Sequence, residues 1–198
     1  MKRRTEIRPE KRTFLIFTEG SQTEPAYLNG LKRLDQIRRS TSITVEVRDD
    51  FIQPLSLVKA AVDKAGDDEI DQVWCVFDVE SPKPHAHLKE ADELARKHDI
   101  RIAVSNPCFE LWLVLHDREQ AAAMTTAAAG KAANELAAFD CKRIVDVNWF
   151  LERRDVEVKR ARKLDEKHRG DGNGEFRKAN PSSGMPALLD ALESAARG

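Results

Sequence analysis

The chain lacks the features that would assign it directly to several large classes of protein. Its 198 residues include three cysteines, and no two of them form a CxxC pair. This odd, unpatterned set argues against a disulfide framework and favours buried or half-buried thiols in a reducing compartment. No apolar run approaches the roughly 18 residues that a membrane-spanning helix needs. The basic N-terminus also has no apolar stretch typical of a signal peptide, so we expect a cytoplasmic protein with no membrane segment.

Several catalytic signatures are also missing. The sequence has no GxxxxGK[ST] phosphate-binding loop, no GxGxxG dinucleotide motif, no GxSxG nucleophile motif and no HExxH zinc motif. Each of these patterns places a particular reacting group in a particular turn or helix. ATP hydrolysis, dinucleotide redox chemistry, serine hydrolysis and zinc-dependent proteolysis are therefore not indicated.

The net charge is small, but its distribution is uneven. A formal charge of -1 arises from 33 basic and 34 acidic side chains. Such asymmetry can place a phosphate backbone beside a metal site, although a basic run is more often a solvated tail or helix face. One basic run is the N-terminal arm, residues 1–12. The other gives the candidate nucleic-acid contacts Arg153, Arg154, Lys159, Arg160 and Lys163.

The first two thirds of the chain alternate predicted strands with predicted helices. Four short apolar runs are predicted to be strands, and the segments between them show the apolar spacing of helices. This βαβαβαβ order predicts an α/β fold with a mostly parallel sheet and helices on its faces. The predicted strands are Thr13–Phe17, Ile43–Val47, Gln72–Phe77 and Arg101–Val104.

The pattern becomes helical after Pro107. We predict an apolar, deeply packed helix from Phe109, an alanine-rich helix within 121–138, one charged helix over 147–167 and a final helix over 185–195. Residues 180–184 are predicted to form a loop. The resulting organisation is a basic arm (1–12), an α/β core (13–120) and a helical C-terminal region packed on that core (121–198).

Carboxylates follow three of the predicted strands directly. Glu19 follows the first, Asp78 and Glu80 follow the third, and Glu110 lies just beyond the fourth. The carboxyl ends of parallel strands form the edge where α/β proteins bind ligands. Alternate residues of an extended backbone share a face, so Asp78 and Glu80 can reach one cation. Oxygen ligands of this kind suit Mg²⁺ or Mn²⁺.

Structural interpretations compete with this one. Glu24 and Glu110 lie in predicted first turns of helices, where acidic residues are common. His85 and His87 follow Glu80 closely and suggest either zinc, for which a second ligand cluster is missing, or an acid that protonates a leaving group. His116 lies in an apolar helix and is more typical of a core histidine.

At these positions the chain resembles the RloB-like family. The resemblance spans most of the chain, from Thr13 to about Leu192, and residues 121–178 contribute no motif to it. It is carried by Phe14–Tyr27, Val73–Asp78, Ser105–His116 and Asn180–Ser183 followed by Leu188 and Leu189.

The resemblance implies a TOPRIM-like (Rossmann-like) fold, similar to the catalytic cores of topoisomerases, primases and OLD-type nucleases. Such sites use a Glu after the first strand, matched by Glu19, and an Asp-x-Asp after a later strand, matched by Asp78 and Glu80. The second acid is here a Glu, which keeps the charge but is one methylene longer. The resemblance also implies a genomic setting beside restriction or abortive-infection genes, often with a separate ATPase.

The main hypothesis is a Mg²⁺- or Mn²⁺-dependent nuclease of antiviral defence whose substrate is DNA or RNA. The protein would act by itself, as an oligomer or together with a separate ATPase subunit. Asp78 and Glu80 would hold metal, Glu19 would bind metal or act as general base, and Glu110 would support the site. Two alternatives are a non-catalytic nucleic-acid-binding or ATPase-docking subunit, and a nucleotide-processing or ligation enzyme that shares the fold.

Overall fold

The computed structural model describes residues 11–47 and 53–195. The basic arm predicted for residues 1–12 therefore lies almost entirely outside the described residues. The elements follow in the order β1 (Arg12–Thr18), α1 (Thr23–Leu31), α2 (Asp35–Ser40), β2 (Thr41–Val47), α3 (Pro54–Val62), β3 (Gln72–Asp78), α4 (Leu88–Lys97), β4 (Arg101–Asn106), α5 (Phe109–Asp117), α6 (Thr126–Ala133), β5 (Phe139–Asp140), β6 (Arg143–Ile144), α7 (Val147–Leu151), α8 (Arg154–Gly170), β7 (Ser182–Ser183) and α9 (Met185–Ala195).

Five of the strands form one mainly parallel, Rossmann-like sheet. Its order is β2-β1-β3-β4-β7, and the first four strands are mutually parallel. Only β7, which pairs with the end of β4, runs antiparallel. The predicted α/β class is therefore confirmed, and the four predicted strands are present.

Helices cover both faces of this sheet. Because side chains alternate along a strand, Phe14 and Ile16 of β1 enter one core, while Leu15 and Phe17 enter the other. The larger core is closed by α1, α5, α8 and α9, and includes the fully buried Trp112. The smaller core lies under α3 and α4. A sheet that is buried on both faces explains why its strands read as continuous apolar runs.

The prediction of a single charged helix over 147–167 is wrong, because α7 ends at Leu151 and α8 begins at Arg154. The Arg153 guanidinium donates to the Trp149 carbonyl at 2.8 Å and lies over the Trp149 ring at 4.0 Å, which closes the end of α7. Buried Phe150, Glu157 and Ala161 keep a helical spacing across the break, so the sequence pattern does not show it.

The loop predicted over 180–184 is also corrected, because Ser182 and Ser183 form strand β7. Two residues carry no periodicity from which a strand could be predicted. Their position is fixed by pairing with Ser105 and Asn106, and by a 2.8 Å hydrogen bond from the Gly184 N–H to the Val104 carbonyl. The chain after residue 120 thus completes the sheet in addition to adding helices.

Two predicted helices are shorter than expected. Between the first two predicted strands, the apolar residues from Tyr27 to Ile37 follow a helical period that predicts one helix, but they span α1 and α2, which are separated by a turn. The alanine-rich segment is helical only in α6, where the Thr125 hydroxyl accepts a hydrogen bond from the Ala128 N–H. Within residues 11–47 and 53–195, no helix has the length and hydrophobicity needed to cross a membrane.

Gly184 provides a test of the packing between β7 and β4. A Cβ at this position would lie 2.7 Å from the Val104 nitrogen and 3.0 Å from the Ala103 Cα, and neither backbone atom can move freely. We expect Gly184→Ala to lower the free energy of unfolding by about 1–3 kcal/mol in urea titrations. Gly130 in α6 has open space around it, so Gly130→Ala should instead raise stability by about 0.5–1 kcal/mol. Equal effects of the two substitutions would contradict the packing described.

Candidate acidic site

Five carboxylates gather at the carboxyl ends of β1, β3 and β4. Two of them come from first turns of helices, Glu24 in α1 and Glu110 in α5. Both helices start at this edge of the sheet, and the partial positive charge of a helix N-terminus favours nearby carboxylates. The other three members are Glu19, Asp78 and Glu80. We call these five residues the acidic site.

Asp78, the last residue of β3, has the least favourable surroundings. Its Oδ1 is buried and has no hydrogen-bond partner among the described residues. Burial raises the pKa of Asp78 well above its usual value, and the other four carboxylates of the site raise it further. An ionised carboxylate at this position therefore needs a neutralising partner, because buried charge without one is costly.

Glu24 belongs to the site rather than merely marking a helix start. Its side chain is 6% exposed and lies against Gly20, where a Cβ would collide with the Glu24 carboxylate. Burial, opposed by hydrogen bonding to the backbone, and repulsion from Glu110 and Glu19 together raise its pKa to about 7. A β-carbon at position 20 would displace this carboxylate, so Gly20 leaves the space that Glu24 occupies.

Glu19 is held by two hydrogen bonds. Its Oε2 accepts from the Asp78 N–H at 3.0 Å, and its Oε1 lies 2.8 Å from Nε2 of His85. The hydrogen bond to Glu19 raises the pKa of His85, while partial burial opposes that change. The backbone N–H of His85 donates to the Val79 carbonyl at 2.8 Å, which fixes the position of the residue. Glu19 and His85 therefore form an oriented carboxylate–imidazole pair beside Asp78.

Glu80 does not continue the strand, contrary to the extended geometry from which we predicted that it shares a face with Asp78. Strand β3 ends at Asp78, and Glu80 has a φ of 71°, a left-handed conformation that is uncommon outside glycine. Its N–H donates to the Pro107 carbonyl at 2.8 Å. This turn keeps Glu80 near enough to raise the pKa of Asp78.

Glu110 lies near Asp78 and Glu24, since it raises the pKa of both. The neighbouring thiol of Cys108 is buried, and burial and the adjacent carboxylates raise its pKa. A thiol in such surroundings stays protonated and is a poor nucleophile or metal ligand.

The donor atoms suit a hard divalent cation. They are carboxylate oxygens, and the group includes one buried oxygen without a partner. Within the described part of the chain, however, no three His, Cys, Asp or Glu side chains already converge as a metal-binding group. Binding of a cation by the acidic site therefore requires its carboxylate side chains to move closer together.

The remaining histidines considered from sequence lie in other surroundings. His87, at the start of α4, contacts Glu90 at 3.2 Å on the surface. His116 is buried, and its Nδ1 donates to the Trp112 carbonyl at 2.9 Å, so its Nε2 accepts from the Tyr27 hydroxyl at 3.3 Å. The same Nε2 lies 3.4 Å from Glu157. Burial lowers the pKa of His116 to about 3 and raises that of Glu157 to about 9. At neutral pH both groups are uncharged, so this is a polar core contact and not an ion pair.

Most of the basic side chains singled out on α8 already contact the protein itself. In addition to the contacts of Arg153 given above, Arg154 lies 3.5 Å from Glu193 and Arg160 donates to the Leu115 carbonyl. Lys163 pairs with Glu119 at 3.0 Å. These contacts join α8 to neighbouring elements. Of this set, Lys159 is exposed and makes no hydrogen bond or ion pair with the residues that the structure describes.

Two features of this region were not predicted from the sequence, the membership of Glu24 and the contact between His85 and Glu19. Glu24 was attributed to the preference for acids at helix starts, although the adjacent Gly20 is a signal that its carboxylate needs room. The pairing of His85 with Glu19 has no local signal, because the two residues are far apart in the chain and meet only through the turn after β3.

These features define an α/β protein with an acidic site at the carboxyl edge of a mainly parallel, Rossmann-like sheet. The family model for RloB-like proteins matches residues 14–192. The chain therefore belongs to the RloB-like family. Searches of curated proteins and of solved structures find no match to the chain.

The pKa of Glu24 predicts how stability varies with pH. A carboxyl whose pKa rises from 4.5 to about 7 on folding stabilises the fold fully below pH 4.5 and loses this contribution as the pH approaches 7. In the absence of divalent cations, the free energy of unfolding of the wild type should fall between pH 4.5 and 7.5 by on the order of 2–3 kcal/mol more than that of Glu24→Gln, measured by urea unfolding. The control is Glu166→Gln on the exposed face of α8, which should leave the pH profile unchanged. A wild-type profile parallel to that of Glu24→Gln would contradict the burial and repulsion described.

Proposed function

We propose that this protein is a metal-dependent phosphodiesterase, a nuclease of the TOPRIM type that acts in cytoplasmic antiviral defence. The observation that carries the proposal is the buried, unpartnered Oδ1 of Asp78 surrounded by four further carboxylates. Such a group is costly without a cation. The order of Glu19 after β1 and Asp78-x-Glu80 after β3 also matches the pattern of TOPRIM sites that the family resemblance implies.

Asp78, Glu80 and Glu24 are the side chains suited to hold Mg²⁺ or Mn²⁺, with Glu110 close enough to support them. A bound divalent cation would supply neutralisation of these carboxylates and polarisation of the scissile phosphate. Glu24 contributes a carboxyl whose pKa of about 7 makes its ionisation readily reversible at neutral pH.

Glu19 and His85 are suited to proton transfer. The two hydrogen bonds of Glu19 fix the direction of its carboxylate, which can accept a proton from an attacking water. The protonated form of His85 is favoured by Glu19 and can return a proton to the oxygen that leaves the phosphorus. Proton transfer by this pair matches the acid role considered for His85 from the sequence.

Nucleic acid is the proposed substrate, and its backbone would approach the acidic site across the helical face of the protein. Lys159 is exposed and unpaired among the described residues, whereas Arg153, Arg154, Arg160 and Lys163 would have to share their present contacts. Binding through such side chains should weaken as the salt concentration rises. Support for the defence role, for oligomerisation and for a separate ATPase subunit comes from the family resemblance alone.

A second candidate function is docking to an ATPase without catalysis. The surface of α8, on which Val156 is 46% exposed, is the region that such docking would use. Under this alternative, Val156→Asp would abolish assembly with a co-expressed ATPase and defence, whereas Asp78→Asn would leave both intact.

The nuclease proposal is tested by incubating plasmid DNA, single-stranded DNA and RNA with Mg²⁺, Mn²⁺ or EDTA, with and without any ATPase that is encoded beside its gene. Asp78→Asn should lower metal-dependent cleavage on the order of 10²-fold or more. Because the substitution removes a repelled, buried carboxylate, it should also raise the melting temperature in EDTA.

The control for this assay is Asp155→Asn, which removes an exposed carboxylate in the first turn of α8. This variant should cleave as the wild type does. Cleavage by Asp78→Asn at the wild-type rate, or no cleavage by folded wild type in any mixture, would contradict the nuclease proposal.

A further inference from the structure

Ser105 in β4 has a buried hydroxyl without an assigned role. The residue is 1% exposed, and its Oγ has no hydrogen-bond partner within the described residues. Its carbonyl is occupied, since it accepts a 2.9 Å hydrogen bond from the Val79 N–H. Leaving a buried hydroxyl unpaired carries an energetic penalty, so such a group in a folded protein calls for a physical explanation.

The register of the sheet places Ser105 directly beside Asp78. The two residues are paired Cα partners of the parallel strands β4 and β3. Neighbouring strands lie about 4.8 Å apart, and paired residues project from the same face. The preceding pair confirms this alternation, because Phe77 and Val104 both enter the smaller core. Ser105 and Asp78 therefore both project from the opposite face, the one that α1 and α5 cover.

Two buried oxygens without partners thus lie on adjacent strands and on one face, Oγ of Ser105 and Oδ1 of Asp78. Their needs are complementary, because a hydroxyl can donate a hydrogen bond and a carboxylate can only accept one. A rotation of either side chain, or one bridging water, would join them. Among the described residues, no other acceptor forms a hydrogen bond with this hydroxyl.

We propose that Ser105 is a positioning residue of the acidic site, whose hydroxyl orients the Asp78 carboxylate for a divalent cation. The inference rests on the metal-dependent function proposed above and deepens it. Each carboxylate oxygen has two lone pairs, so Oδ1 of Asp78 can accept one hydrogen bond from Ser105 and still face a cation. Partners of this kind set metal affinity together with the ligands themselves.

Ser183 offers a matched control in the same row of the sheet. It is paired with Ser105 across β4 and β7 and is 2% exposed. Its hydroxyl already has a partner, because its Oγ accepts a 3.4 Å hydrogen bond from the Met185 N–H. Loss of the Ser183 hydroxyl should therefore affect the start of α9 and not the acidic site.

The test is the affinity for Mn²⁺ alone, measured by isothermal titration calorimetry on the full chain without nucleic acid. Ser105→Ala should weaken binding roughly tenfold. Ser105→Thr, which keeps the hydroxyl, should bind within about threefold of the wild type, and Ser183→Ala should bind as the wild type does. Thermal unfolding in EDTA verifies that each variant is folded. If Ser105→Ala does not fold, Ser105→Cys replaces it and is judged by the same criterion.

The possible results separate this inference from the function on which it rests. Wild-type affinity in the Ser105→Ala variant would overturn the role of Ser105 and leave the nuclease proposal standing. Equal weakening by Ser105→Ala and Ser105→Thr would also overturn it, because the hydroxyl would not matter. If the folded wild type binds no Mn²⁺, the metal-dependent function itself fails and the inference fails with it.

Discussion

Repulsion among the carboxylates around Asp78 is the constraint on which the architecture of this edge of the sheet depends. Asp78 is desolvated and faces four like-charged neighbours, which is unfavourable unless other groups compensate. Part of the compensation is built into the fold. The Asp78 N–H and His85 hold Glu19, the N-termini of α1 and α5 point to the site, and Gly20 leaves space for Glu24. These contacts leave Oδ1 of Asp78 without a partner among the described residues, and this uncompensated carboxylate is the reason to expect a bound cation.

The turns that follow the strands hold this arrangement together. The turn after β3 is hydrogen-bonded to the end of β4 and to the turn that follows it, because the Val79 N–H donates to the Ser105 carbonyl and the Glu80 N–H to the Pro107 carbonyl. Asn106 in turn donates its side-chain amide to the Phe176 carbonyl at 2.9 Å. The acidic site is therefore connected to the C-terminal part of the chain, which supplies β7 beside β4. A variant in the segment after residue 170 can thus disturb the site without belonging to it.

The sequence was sufficient to predict the four parallel strands of the sheet but not the short antiparallel strand β7 at its edge. Strands β1, β3 and β4 are buried on both faces, so their apolar runs are strong signals, and the carboxylates at their ends could be located directly. Strand β7 has two residues and depends wholly on tertiary pairing. The break between α7 and α8 was missed because Phe150 and Glu157 keep a helical spacing across it.

The membership of the acidic site was predicted only in part, for a similar reason. Glu19 and Asp78 lie at strand ends and Glu110 lies in the first turn of the helix that follows β4, so topology alone brings them to one edge. The contact of His85 with Glu19, and the position of Ser105 beside Asp78, require the three-dimensional path of a turn and the register of two strands. Local sequence patterns contain neither kind of information.

The most direct test of the account is a crystal structure of the protein grown with Mn²⁺, with data collected to reveal the anomalous scattering of the metal. The account predicts an anomalous peak at the carboxyl edge of the sheet, with an oxygen of Asp78 roughly 2.0–2.2 Å from the ion. Well-ordered crystals with no peak at this edge, and with the Asp78 carboxylate unchanged, would contradict it.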